Sequence, residues 1–272
     1  MIHSIENEVL TLEVSEHGAE LYDLRSKVMP EAPLLWDGKP EFWARRAPVL
    51  FPWCMKIQDG WYEFEGKRYE APTQHGFMRD VDHAFVGTTA DSLTFRYEHP
   101  GDDVWPWPFT FETAHTLKGN VVETVCTGTN RSGKPMPVQL GFHTALRCPF
   151  TPGKPMEDYF FRFEQPESPK GGDILPIDLH TFDEARTICL PAPLKSRWIQ
   201  VEEKGTGKYL RMGTENFPTV LLWRAPGEPD FVCIEPWQGG AAEGHDLTQR
   251  LGTVVLQPGE SLSRTQHITV GI

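Results

Sequence analysis

Basic residues are scarce in this sequence. Its 272 residues hold 26 Lys and Arg against 38 Asp and Glu, a formal net charge of −12. Nucleic acid and anionic membrane both demand a basic footprint, so neither is expected as a partner. No apolar run approaches the roughly 18 residues of a transmembrane helix. The opening MIHSIENEVL shows no basic segment followed by an apolar core, and hence no secretory signal. The five cysteines, at 54, 126, 148, 189 and 233, are odd in number and contain no CxxC pair. Cys126, Cys189 and Cys233 fall in apolar or alternating runs and read as small buried hydrophobes. These absences predict a cytoplasmic chain with reduced thiols. There is no HExxH or His-x-His, no GxSxG, and neither Gly171-Gly172 nor Gly239-Gly240 fits a phosphate-cradling template. The nearest histidine pair is His75 with His83, and a cupin-like metal site assembled from separated strands stays open.

Long helices also lack room. The 24 Pro and 24 Gly are scattered along the chain and gather into no linker. Hydrophobic residues at 39% and aromatics at 11% are enough for a sizeable core. Alternation at period two recurs instead of helical periodicity. In EVLTLEV (8–14), Leu10, Leu12 and Val14 share a face; in LTFRYE (93–98), Leu93, Phe95 and Tyr97 do. FTFETAHTLKGNVVETVCTGTN (109–130) predicts two long strands joined at Lys118-Gly119-Asn120. Further hairpins are expected at Glu65-Gly66-Lys67 and Gly205-Thr206-Gly207, with a turn at Pro258-Gly259 into a final strand. Short helices fit only around 40–46 and 244–250. The prediction is one all-β domain over 1–272, a large antiparallel β-sandwich.

Glu235 closes the apolar run Phe231-Val232-Cys233-Ile234, where a carboxylate must be paired, hydrogen-bonded or shifted in pKa. It is either an edge residue saturated by backbone donors or a base or acid at the rim of a pocket. Most histidines fall in loops, near chain ends or on alternating strand positions. Two differ: His75, with Arg79 four residues on, and His143, with Arg147 four residues on. A Glu at one strand end and a His at another form a proton-accepting and proton-donating pair if the fold converges them. Numerous tryptophans suit a neutral sugar, whose apolar faces stack on indole.

At these residues the chain resembles the aldose 1-epimerase (galactose mutarotase) superfamily, in its LacX-like branch. The matching segments run nearly end to end: SEHGAELYDLRS (15–26), LLWDGKPEFWARRAPVLFP (34–52), DGWYEFEGKRYEAPTQHGFMRD (59–80), MPVQLGFHTALRCP (136–149), CIEPWQG (233–239) and LTQRLGTVVLQPGE (247–260). The resemblance implies a galactose mutarotase-like supersandwich with a sugar site on its concave face. It implies Glu235 as general base toward the anomeric hydroxyl and His143 as general acid toward the ring oxygen, with no cofactor and no metal. His75, Arg46, Arg79 and Asp183 would bind sugar hydroxyls, or a phosphate in the case of the arginines, and Trp237 would wall the site. The implied partner is a small sugar, for a monomer or homodimer. A hexose-6-phosphate mutarotase and a sugar-binding or regulatory protein on the same fold are the alternatives. Met55-Lys56 stands where relatives carry Gly-Arg, and GDDVWPWPF (101–109), with two Trp-Pro pairs, is expected to form a lid or to pack.

Overall fold

The computed structural model describes residues 1–271 apart from 179, 183–186, 191 and 228. The alternating segments become antiparallel strands. Nine form one sheet, in the order Ile174–Pro176, Tyr159–Phe163, Trp198–Glu203, Tyr209–Gly213, Ser261–Gly271, Val121–Asn130, Phe109–Lys118, Ser92–His99, Ala84–Thr88. A second sheet runs Thr187–Cys189, Thr219–Trp223, Phe231–Trp237, Gly141–Phe142, Val49–Leu50, with Thr144–Arg147 also paired to Phe231–Trp237. Three amino-terminal strands, Ile2–Glu6, Leu10–Ser15 and Leu21–Ser26, form a smaller sheet.

The period-two reading holds at the level of side chains. Leu10, Leu12 and Val14 are all buried while Thr11 and Glu13 are only half-buried. The long hairpin pairs Val121 with Lys118, which leaves Gly119 and Asn120 as a two-residue turn. Phe64 pairs with Lys67, and the intervening Glu65 and Gly66 both have positive φ, 51° and 73°, as a tight primed turn requires. The strand Val254–Leu256 does not return onto Ser261–Gly271; it pairs with Met136–Val138.

No α-helix occurs among the described residues. The segment 40–46 forms turns, and 244–250 contains a single 3₁₀ turn, Leu247–Gln249, capped by the Asp246 side chain accepting from Thr248 N–H. Pro40 and the aromatic residues Phe42 and Trp43, drawn toward the hydrophobic cluster around Trp36, override the weak helical pattern there.

One apolar core fills the space between the two large sheets. Leu93, Phe95, Val122, Phe161, Val201 and Ile268 meet Val220, Leu222, Val232 and Ile234 in it. A second cluster gathers Phe51, Trp53, Tyr62, Phe109 and Phe111, together with Trp105 and Trp107. Trp105 lies 5.8 Å from Trp53 and 5.6 Å from Tyr62, centroid to centroid, so the Trp-Pro segment packs rather than covers a site. Four cysteines are buried, but Cys189 is exposed, because its short strand lies at the open edge of the second sheet. That corrects its reading as a buried hydrophobe.

Candidate active site

All seven residues of Phe231–Trp237 are buried, yet the two faces of the strand look into different surroundings. Val232 and Ile234 enter the main core. Phe231, Cys233, Glu235 and Trp237 leave on the opposite face, which carries the polar cavity. A carboxylate can therefore sit in a fully buried strand without entering the hydrocarbon core.

Register puts His143 against it. Gly141 pairs with Trp237 and Thr144 with Ile234, and the same register sets His143 directly opposite Glu235. His143 donates its backbone N–H to the Pro48 carbonyl at 3.1 Å, which holds the residue between two short strands. Its Nε2 lies 3.3 Å from Glu235 Oε2. His143 is 7% exposed and Glu235 2%. Burial, with the charges of Arg79 and Arg45, pushes the imidazole down to about 3. Burial alone pushes the Glu235 carboxyl well above the usual carboxylate range. Both shifts favour the uncharged pair, with the proton on Glu235 and His143 as an acceptor. Glu235 Oε1 and His143 Nδ1 have no hydrogen-bond partner among the described residues.

The pair faces a cavity of about 360 Å³ lined also by Trp43, Arg45, Met55, Gln74, His75, Arg79, Thr187, Leu221, Trp223 and Trp237. Trp43 stacks on the His143 ring at 4.8 Å and Trp223 meets it edge-on at 5.2 Å. Trp237 donates Nε1–H to the Phe142 carbonyl at 3.1 Å. A Cβ at Gly141 would lie 2.7 Å from Trp237 Cδ1, so only glycine admits the indole there.

Opposite the sheet, two loops lock together. His75 and Met55 both adopt left-handed backbone, φ 67° and 64°, which costs on the order of 1–3 kcal/mol at each residue. They hold one another there: His75 N–H donates to the Met55 carbonyl at 3.0 Å, and Met55 N–H donates to His75 Nδ1 at 2.9 Å. His75 Nε2 lies 2.8 Å from the Gln74 amide, so both ring nitrogens are already engaged. Burial and the neighbouring His143 keep its pKa well below the ordinary value.

The predicted residues do not all converge. Glu235, His143, His75, Arg79 and Trp237 line the cavity. Arg46 does not. Its guanidinium lies 4.0 Å over the Tyr22 ring and donates to the Tyr22 carbonyl at 3.0 Å. The preceding Arg45 takes the place in the wall. Asp183 lies outside the described residues. Arg45 donates to Asp80 Oδ1 at 2.6 Å, and Arg79 donates to the Gln74 carbonyl at 2.6 Å. Arg79 Nε is buried without a hydrogen-bond partner, 3.8 Å from Asp80 Oδ2, and burial lowers its pKa to about 10. Gln74, Thr187 and Leu221 went unnoticed in the sequence. Leu221 pairs with Glu235, and Thr187 with Trp223, so strand pairing is the signal that finds them. Among the described residues, one triad has metal-ligand composition: atoms of His143, Cys233 and Glu235 lie within 4.8 Å of one another.

Comparison with known proteins agrees with this architecture. The aldose 1-epimerase family matches residues 1–269. Two LacX proteins of Lactococcus lactis, one plasmid-borne and one chromosomal, are each 27% identical over 301 residues, covering 99% of both chains. The crystal structure of a galactose mutarotase-related enzyme from Lactobacillus acidophilus superposes with a TM-score of 0.88 at 24% identity, covering 100% of this chain and 98% of that one. A galactose mutarotase-like protein from Lactobacillus casei gives the same TM-score and identity, with both chains fully covered. The chain belongs to the aldose 1-epimerase family.

Proposed function

We propose that the cavity interconverts the α and β anomers of a hexose by acid–base ring opening and reclosure. The observation that carries this reading is the buried His143–Glu235 pair, 3.3 Å apart, with an unbonded atom on each partner. Family membership supports it. The volume falls within the roughly 300–1,000 Å³ of small-molecule sites, and three indoles offer stacking faces.

In this mechanism Glu235 takes the proton of the anomeric hydroxyl, whose electron pair forms the C1 carbonyl. The C1–ring oxygen bond breaks, and the ring oxygen takes a proton from His143. Rotation about the C1–C2 bond and the reverse steps give the other anomer. The reaction starts from a carboxylate and an imidazolium and passes through the neutral pair while the chain is open. Burial favours the neutral pair, and the starting form is one proton shift away across the same contact. Sugar hydroxyls donating to Glu235 Oε1, with Arg45 and Arg79 nearby, favour the carboxylate. His75 acts by fixing Gln74 and Met55 in the wall, and Arg79 Nε–H is available to a sugar oxygen.

A second reading, a hexose 6-phosphate as substrate, is favoured by one specific observation. Arg45 and Arg79 both line the cavity, and Asp80 is the carboxylate they share. Polarimetry or NMR exchange on freshly dissolved α-glucose, α-galactose and glucose 6-phosphate tests both readings, wild type beside Glu235→Gln. Acceleration that vanishes in the variant supports the mechanism, and the preferred sugar selects between the readings. Sugar binding without acceleration by the wild type would leave a binding protein on the same fold.

A further inference from the structure

Ring opening makes no use of Cys233, although its position invites a role. It lies two residues before Glu235 in one strand, so both side chains leave the sheet on the same face. Its partners there are apolar: Trp36, Ala145 and Phe231, with Trp43 and Trp223 packed against them. The thiol does not line the cavity, but its sulfur, the imidazole and the carboxylate are mutually within 4.8 Å, and all three residues are buried. Two polar atoms of this group, Glu235 Oε1 and His143 Nδ1, are unpartnered.

We propose that His143, Cys233 and Glu235 form a trap for a thiophilic divalent cation, Zn²⁺ or Cd²⁺, which excludes the sugar when bound. A thiolate, an imidazole and a carboxylate suit a borderline-soft ion and discriminate against Mg²⁺ and Ca²⁺, which prefer oxygen ligands. With ligand bonds of about 2.0–2.3 Å, tetrahedral ligands stand roughly 3.3–3.8 Å apart. The imidazole and carboxylate already stand 3.3 Å apart, so it is the thiol that closes on them, by about an ångström at most from the 4.8 Å limit, and the cavity supplies water to the fourth position. Binding releases the thiol proton and the one proton of the His143–Glu235 pair as one dication enters. The charge of the cavity is unchanged, so Arg45 and Arg79 do not oppose the ion. A carboxylate and an imidazole tied to a metal cannot exchange protons with a sugar, so the ion inhibits. Only the inhibition rests on the proposed reaction; the binding does not.

The test uses chain purified without an affinity tag. Co²⁺ titration reads the thiolate-to-cobalt charge-transfer absorption, and equilibrium dialysis measures Zn²⁺ stoichiometry. One equivalent of Zn²⁺ and a charge-transfer band are expected. Cys233→Ala should remove the band and weaken Zn²⁺ binding more than about tenfold, since even loss of an outer partner costs a metal site that much. Cys189→Ser, which alters the exposed thiol, should keep both. If Cys233→Ala does not fold, Cys233→Val serves in its place. Where mutarotation is measurable, Zn²⁺ should inhibit the wild type and spare Cys233→Ala, whose own rate stays within a few-fold. A wild type that binds no Zn²⁺, or a band that survives Cys233→Ala, overturns the proposal. If no sugar is turned over, the band and the dialysis still decide it.

Discussion

Replacing Glu235 by Gln should make the protein more stable, and increasingly so as the pH rises. The argument is one of proton linkage. In the unfolded chain this carboxyl ionises around its ordinary value of 4.5, whereas burial raises it well above that in the folded protein. The folded state therefore binds more protons than the unfolded state as soon as the pH exceeds 4.5. Stability is lost with rising pH until the folded-state value is passed. The slope of that loss approaches about 1.4 kcal/mol per pH unit. Gln keeps the shape and carries no titrating proton, so the variant escapes the loss. Glu20 is also buried and raised, but it is present in both proteins and cancels. The assay is urea denaturation of both proteins at several values between about pH 5 and pH 8, with the difference in unfolding free energy plotted against pH. That difference should grow from near zero by a slope approaching about 1.4 kcal/mol per unit, while turnover of the variant is lost. A difference that stays constant across the range would refute the claim that Glu235 is held uncharged by burial. It would mean that the folded pair carries no such proton, with Glu235 ionised beside a neutral imidazole.

Other substitutions separate chemistry from binding. His143→Asn should lower kcat on the order of 10²-fold or more with little change in sugar affinity, measured by exchange NMR and isothermal titration; equal losses of both would make it a binding residue. The pH profile of kcat/KM should show no inflection near 6.5. The pair gains its second proton only as the pH falls toward the lowered His143 value of about 3, and loses its only proton above the usual carboxylate range. Arg79→Ala should raise KM on the order of tenfold or more, as loss of a charged hydrogen bond does; the loss should be larger for glucose 6-phosphate if that is the substrate. Gly141→Ala brings a Cβ to 2.7 Å from Trp237 and 3.0 Å from Cys54 Sγ, and should cost about 1–3 kcal/mol in chemical denaturation while displacing the indole.

The strands were legible because their physical cause is local. Leu10, Leu12 and Val14 alternate with polar neighbours, and any antiparallel sheet with one buried face will use that pattern. The segment 40–46 misled for the converse reason: Trp43 is drawn over His143 and Phe231 by contacts distant in sequence, and no helical propensity survives that demand. Cys189 misled because an edge strand and a central strand of three residues look alike in sequence. Exposure was decided by what fails to pair with it.

The site was legible in kind and incomplete in detail. Glu235 and His143 stood out because each places a titratable group where an apolar run ends. Sequence motifs alone gave no reason for Arg45 rather than Arg46 to face the cavity. The loop is fixed where Glu20 accepts from the backbone N–H groups of Arg46 and Ala47, both at 2.7 Å. Ala145 N–H in turn donates to the Arg46 carbonyl at 2.9 Å, tying the loop to the strand that follows His143. The same register that sets His143 opposite Glu235 also sets Ala145 opposite Cys233, and Leu221 pairs with Glu235 from the other side. The His143–Glu235 contact, the thiol and the cavity wall are consequences of one alignment of three strands. A slip of one residue in that alignment would turn every one of these side chains into the core. The hydrophobic alternation of Val232 and Ile234 that stabilises the sandwich is thus also what keeps Glu235 aimed at the cavity, opposite His143.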